Sequence, residues 1–196
     1  MRLVASNSVP SSEPIHTRRT LVLGGARSGK SAHAEKLFDS LADNVAVRYV
    51  ATARRYPDDH DWESRIEQHR HRRPIAWTTV ETGHDGSLVD LLNAPGPHPP
   101  TLVDDLGTWL TGELDDAGAW DLPRGTISVR SDALVTAVGS YRGRLALVTP
   151  EVGLGVIPET RSGRLFRDEI GALNARLADV CDDVILVVAG IAMTLR

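Results

Sequence analysis

The chain has 196 residues, 41% of them hydrophobic, enough for one well-buried α/β domain and too few for two comfortable ones. A formal net charge of -4 argues against a general nucleic-acid or membrane binder, which would present a surplus of Lys and Arg. The lone Cys181 excludes an intramolecular disulfide and a cysteine-rich zinc site, and no apolar run approaches the ~20 residues of a membrane helix, so a soluble cytoplasmic protein is expected.

In chain order, residues 1–17 are rich in Ser and Pro and lack the apolar centre of a secretory signal. They read as a flexible extension, with a single domain over 18–196. A strand over Thr20–Leu23 runs into Gly24-Gly25-Ala26-Arg27-Ser28-Gly29-Lys30-Ser31. A helix over Ser31–Leu41 follows, with Ala34, Leu37, Phe38 and Leu41 on one face. Further strands are predicted at Val45–Ala51, Ile75–Val80, Thr101–Val103, Arg144–Thr149 and Val184–Ala189. Helices are predicted at Asp59–Arg72, Ser87–Leu92, Thr108–Asp115, Thr126–Tyr141 and Thr160–Cys181; in the fifth of the six, Ile127, Leu134, Val138 and Tyr141 can share a buried stripe. Pro95, Pro97, Pro99 and Pro100 mark a surface connection. The alternation predicts an α/β fold of the P-loop NTPase type, a mostly parallel central sheet flanked by helices. The loops after Leu23, Ala51, Val103 and Thr149 should then converge on one site at the carboxyl ends of the strands.

The residues Gly24 to Ser31 match G-x-x-x-x-G-K-[ST] in a strand-to-helix context, which points to a nucleoside triphosphate. Glycines let backbone N–H groups turn toward phosphate oxygens, Lys30 can bridge the outer phosphates, and the Ser31 hydroxyl suits Mg²⁺. Asp104, at the end of the Thr101 strand, stands where such enzymes place the acidic partner of the metal. The competing reading makes Asp104 and Asp105 a solvated pair capping the next helix. The segment Arg65-Ile66-Glu67-Gln68-His69-Arg70-His71-Arg72-Arg73-Pro74 concentrates arginine and histidine in an acidic chain. On a helix His69 extends the face of Trp62 and Ile66 while the arginines fan around it, so its imidazole could attack phosphorus. A solvated basic helix end and an RNA-contacting patch are equally open, and a His69/His71 metal pair with distant His60 lacks completing ligands. The glycine-containing segment Pro150–Glu159 reads either as a loop that closes over substrate or as an ordinary connection. Arg161, Arg164, Arg167, Asp168 and Asn174 read equally well as a solvated charged face.

Taken together, several blocks resemble the bifunctional adenosylcobinamide kinase / adenosylcobinamide-phosphate guanylyltransferase family. They are the Gly24–Ser31 cradle, Tyr49-Val50-Ala51-Thr52, Arg65-Ile66 with His69 and Arg73-Pro74, Trp77 with Glu81, and Val148-Thr149 with Glu151-Val152-Gly153. Phe166-Arg167-Asp168 and Val187-Val188-Ala189-Gly190-Ile191 complete the set. The resemblance implies that His69 is the catalytic histidine that carries GMP from GTP to adenosylcobinamide phosphate, with Lys30 as its catalytic partner. It also implies a kinase step in which adenosylcobinamide takes the γ-phosphate of ATP or GTP. It implies nucleotide contacts from Gly24, Gly25, Ala26, Arg27, Ser28, Gly29, Lys30, Ser31, Thr52, Ala53, Arg54, Arg70, His71, Arg72, Arg73, Glu81 and Asp104. Ser31 and Asp104 become the Mg²⁺ ligands, and the subunits a homotrimer. The sequence departs from the family pattern at Pro150, where relatives commonly carry Asn, and uses Asp rather than Glu at 104. A P-loop small-molecule kinase without a covalent histidine intermediate is the alternative.

Overall fold

Leu21, Val22 and Leu23 are apolar without interruption because their strand is covered on both faces, as central parallel strands are. The computed structural model describes residues 17–41, 45–54, 76–82 and 87–196. Strand β1 (Arg18–Gly24) lies between β5 (Arg144–Pro150) and β6 (Asp183–Val188), parallel to both. With β2 (Arg48–Ala51), β3 (Thr78–Glu81), β4 (Thr101–Asp104) and β7 (Ile191–Thr194) the sheet runs β3-β2-β4-β5-β1-β6-β7. Only β7, among these, is antiparallel to its neighbour.

Period-2 alternation along β1 sorts its side chains between two cores. Leu21 and Leu23 pack with α3 (Leu106–Asp116), α4 (Ser128–Ser140) and α5 (Arg161–Val180) through Leu110, Leu134, Val138, Ile170 and Leu173. Val22 faces the other layer, with Ala34 and Phe38 of the α1 segment, Tyr49, Leu102 and Val148; α1 itself is Lys30–Lys36. Each such fully buried aliphatic side chain stabilises the fold by about 1.5–3 kcal/mol. A short helix α2 (Leu88–Asn93) and a 3-10 turn at Ala119–Asp121 complete the regular structure of the described residues.

Among the described residues, three of the five helix starts follow the capping rule. Ser87, Asp105 and Thr160 each accept a backbone N–H three residues on, from Asp90, Thr108 and Gly163. The Ile127, Leu134, Val138 and Tyr141 stripe is buried as expected. Helix α1 stops at Lys36 and continues as turns, shorter than its hydrophobic pattern suggested, yet Phe38 still reaches the core. The last hairpin has no counterpart among the expected elements: Ala189 (φ 51) and Gly190 (φ 80) turn β6 back into the exposed edge strand β7. Arg18 pairs with Asp183 and Arg19 with Asp182, tying the start of β1 to the start of β6. The predicted Asp59–Arg72 helix lies outside the described residues.

Candidate nucleotide site at the phosphate cradle

The loop from Gly24 to Ser31 leaves the carboxyl end of β1 and enters α1. Two glycines are dictated by geometry. A Cβ at Gly24 would stand 2.4 Å from Ser28 Oγ and 2.8 Å from the Val187 carbonyl oxygen, and Gly29 caps α1 with φ +91, in the left-handed region. Ser28 is buried, its N–H donates to the Gly25 carbonyl (3.3 Å), and its own carbonyl accepts from Gly190 N–H (2.8 Å). The β6–β7 hairpin therefore buttresses the loop from behind. Lys30 Nζ reaches across it to the Gly25 carbonyl, 3.4 Å away. A loop held in this way, with lysine and serine at its exit, has the groups that cradle polyphosphate.

Asp104 closes the site from the neighbouring strands. Ser31 Oγ donates to Asp104 Oδ1 (3.2 Å), and Tyr49 Oη donates to Oδ2 (2.6 Å), so both carboxylate oxygens are oriented. Among the described residues no group of three or more His, Cys, Asp or Glu is placed to hold a metal ion. Ser31 and Asp104 make a hard two-oxygen set, which fits Mg²⁺, an ion that completes its shell with water and substrate phosphates.

The two adjacent aspartates divide the two readings of the sequence between them. Across a cis peptide, Asp105 turns to cap α3, accepting from Thr108 N–H at 2.9 Å. Burial pushes its carboxyl above the usual range, the Asp104 charge adds to the rise, and the Thr108 bonds and Lys30 oppose it. Asp105 is the helix cap; Asp104 faces Ser31.

Thr52 has a buried hydroxyl, 2.6 Å from both the Asp105 carbonyl and Thr108 Oγ1, so its side chain braces β2 against the start of α3. Ala53 follows, and Arg54 pairs with Asp116 at 2.5 Å while lying over Gly112. Glu81 ends β3 opposite Ala51, which also lies opposite Asp104, so both acids occupy one row across the strand ends. His69, Arg70, His71, Arg72 and Arg73 lie outside the described residues, as do Arg65, Ile66 and His60.

The loop after β5 is anchored rather than loose. Glu151 N–H donates to the Gly24 carbonyl (3.1 Å), and the Pro150 ring sits where a Cβ on Gly107 would be, 2.8 Å from its Cγ. Arg164 Nη1 donates to the Pro158 (3.0 Å) and Glu159 (2.6 Å) carbonyls, and Arg167 Nη2 to the Gly153 carbonyl (2.9 Å). Arg161 donates to the Trp120 and Leu122 carbonyls. These arginines are not a merely solvated face: they tie loop backbone to α5. Asn174 corrects the sequence reading further, since it is buried, accepts from Thr149 Oγ1 (2.7 Å) and donates to the Pro150 carbonyl (3.1 Å). The signal was present. Asn174 falls on the i, i+3, i+4, i+7 stripe of Ile170, Leu173 and Leu177.

A family model described as cobinamide kinase / cobinamide phosphate guanyltransferase matches residues 20–195. The bifunctional adenosylcobalamin biosynthesis protein CobU of Escherichia coli (strain K12) is 38% identical over 185 residues, covering 90% of this chain and 98% of its own. The CobP protein of the same description from Pseudomonas aeruginosa is 39% identical over 181 residues, covering 91% and 97%. The CobU of Salmonella typhimurium (strain LT2) is 38% identical over 185 residues, covering 90% and 98%.

Proposed function

The chain belongs to the cobinamide kinase / cobinamide phosphate guanyltransferase family, and from that membership we propose that it performs both reactions on adenosylcobinamide. In the kinase step the acceptor hydroxyl attacks the γ-phosphorus of ATP or GTP. An O–P bond forms, the β–γ bridging P–O bond breaks, and the hydroxyl proton is released with the nucleoside diphosphate. In the transfer step a ring nitrogen of His69 attacks the α-phosphorus of GTP and pyrophosphate leaves. A phosphate oxygen of adenosylcobinamide phosphate then displaces the histidine, giving adenosyl-GDP-cobinamide.

The geometry that supports the nucleotide-handling part of this reading best is the 3.2 Å approach of Ser31 Oγ to Asp104 beside a Lys30-bearing cradle. Backbone N–H groups of the cradle and the Lys30 ammonium bind and orient the phosphates, and Tyr49 holds Asp104 in place. Mg²⁺ bound by Ser31 and Asp104 would neutralise charge on the phosphate oxygens. Thr52, Ala53, Arg54, Glu81 and Arg70 to Arg73 contact the nucleotide, and the protein works as a homotrimer in the cytoplasm. Among the described residues no helix is long and apolar enough to cross a membrane.

Incubation with α-labelled GTP should leave acid-labile, alkali-stable label on the protein, and His69→Ala should abolish it. Phosphorylation of cobinamide from γ-labelled ATP or GTP is measured alongside. Phosphorylation without protein labelling would leave an ordinary P-loop kinase and overturn the histidine relay.

A further inference from the structure

Three large aliphatic side chains stand in solvent on the loop that follows β5: Leu154 at 82% exposure, Val156 at 93% and Ile157 at 68%. Nothing in the fold gains from that exposure, and exposed aliphatic side chains concentrated on one loop mark a contact site. Its place in the topology says what the contact is. β5 lies between β1, which carries the cradle, and β4, which carries Asp104; Pro150 is paired with Gly24, and Val148 with Asp104. The loop therefore leaves the sheet between the phosphate-holding and metal-side groups.

The loop is also preorganised. Its root is bonded to the cradle through Glu151 N–H and the Gly24 carbonyl, and the carbonyls of Gly153, Pro158 and Glu159 are held by Arg167 and Arg164. With those guanidiniums directed at backbone oxygens, the three side chains between the two anchors present an aliphatic surface. That chemistry suits the alkyl-bearing face of a large acceptor whose polar and charged groups lie outside the seat. We propose that Leu154, Val156 and Ile157 form the seat for the corrin ring of the acceptor, a reading that rests on the cobinamide activity proposed above. The seat holds the macrocycle beside the cradle while its hydroxyl arm reaches the bound triphosphate.

The test compares the full-length protein with the triple variant Leu154→Ser, Val156→Ser, Ile157→Ser. Cobinamide binding is followed by equilibrium dialysis of the coloured corrinoid, GTP binding by dialysis of labelled nucleotide, and the kinase step by steady-state kinetics. The dissociation constant and KM for cobinamide should rise roughly 100-fold, as expected when about half of the burial available to three aliphatic side chains is lost, with the GTP constant unchanged. A second variant, Leu154→Met, Val156→Leu, Ile157→Leu, should keep the parent affinity. Unchanged cobinamide affinity in the serine variant overturns the seat, and so does equal loss in both variants. A changed subunit count with cobinamide affinity intact assigns the patch to contact between copies and also overturns it. A parent protein that neither binds nor phosphorylates cobinamide would instead defeat the functional reading itself.

Discussion

Replacing Asn174 by Ala should destabilise the protein out of proportion to the size of the change. The side chain accepts from Thr149 Oγ1 at 2.7 Å and donates to the Pro150 carbonyl at 3.1 Å, and the Thr149 hydroxyl has no exposure to water. Two neutral hydrogen bonds contribute about 1 kcal/mol each, and the stranded hydroxyl adds about 1–3 kcal/mol of desolvation that is no longer compensated. The better helix propensity of Ala returns about 0.5 kcal/mol, so the net loss is about 3 kcal/mol. For a domain of this size that lowers Tm by about 6–12 °C. The assay is urea unfolding of the parent, Asn174→Ala, Thr149→Val and the double variant. Thr149→Val alone should cost about 1–2 kcal/mol. The double variant should cost less than the sum by about 1–2 kcal/mol, because it leaves no hydroxyl stranded. Additivity within about 0.5 kcal/mol, or a loss below about 1 kcal/mol for Asn174→Ala, would refute the reasoning.

Two further outcomes follow from the same geometry. Gly24→Ala sets a Cβ against Ser28 Oγ and the Val187 backbone, so the cradle and β6 must part. Stability should drop by about 1–3 kcal/mol with GTP affinity falling roughly 100-fold, whereas Gly25→Ala, which meets nothing within 4 Å, should change stability by less than about 0.5 kcal/mol. Equal effects at both positions would contradict this. Arg19 hydrogen-bonds Asp182 and Arg18 hydrogen-bonds Asp183, which holds both carboxyls below the usual range. Their contribution is therefore full above the unfolded value of about 3.9 and is lost as pH falls through the lower folded values. At this exposure the two pairs together are worth about 1 kcal/mol or less. In unfolding series from pH 6 to pH 2, the stability gap between the parent and Asp182→Asn, Asp183→Asn should shrink below about pH 4; a constant gap would show the pairs to be inert.

The fold was legible where one physical signal dominates. Leu21-Val22-Leu23 followed by the glycine cradle allows little but a central strand entering a helix, and β4, β5 and β6 are apolar runs bounded by polar or breaking residues. The final hairpin was not legible, because Ala189-Gly190 lacks the Asn-Gly signature of its turn and β7 is a wholly exposed edge. Within the site, Lys30, Ser31 and Asp104 could be named from spacing. Composition could not divide Asp104 from Asp105, since both are good caps and good ligands; only the path of the chain into α3 does so. Tyr49 fits a strand pattern, and its distal hydroxyl acts at the strand end through side-chain length that a residue pattern does not express. The charges around Asn174 along α5 leave a solvated face as open as a buried one, and only its place on the Ile170, Leu173, Leu177 stripe decides between them.

The cradle strand stands early in the sequence and central in space. Its two flanking partners are synthesised long after it, and the Gly190 amide that buttresses Ser28 comes later still. While the ribosome is still making the chain, β1 waits with both edges unmatched until β5 and β6 follow, and the cradle loop is braced only after them. Prematurely terminated products that stop before the closing hairpin thus carry every cradle residue yet lack the brace that shapes it. Where β6 is also missing, the edge of β1 that it covers is left open for pairing with another chain.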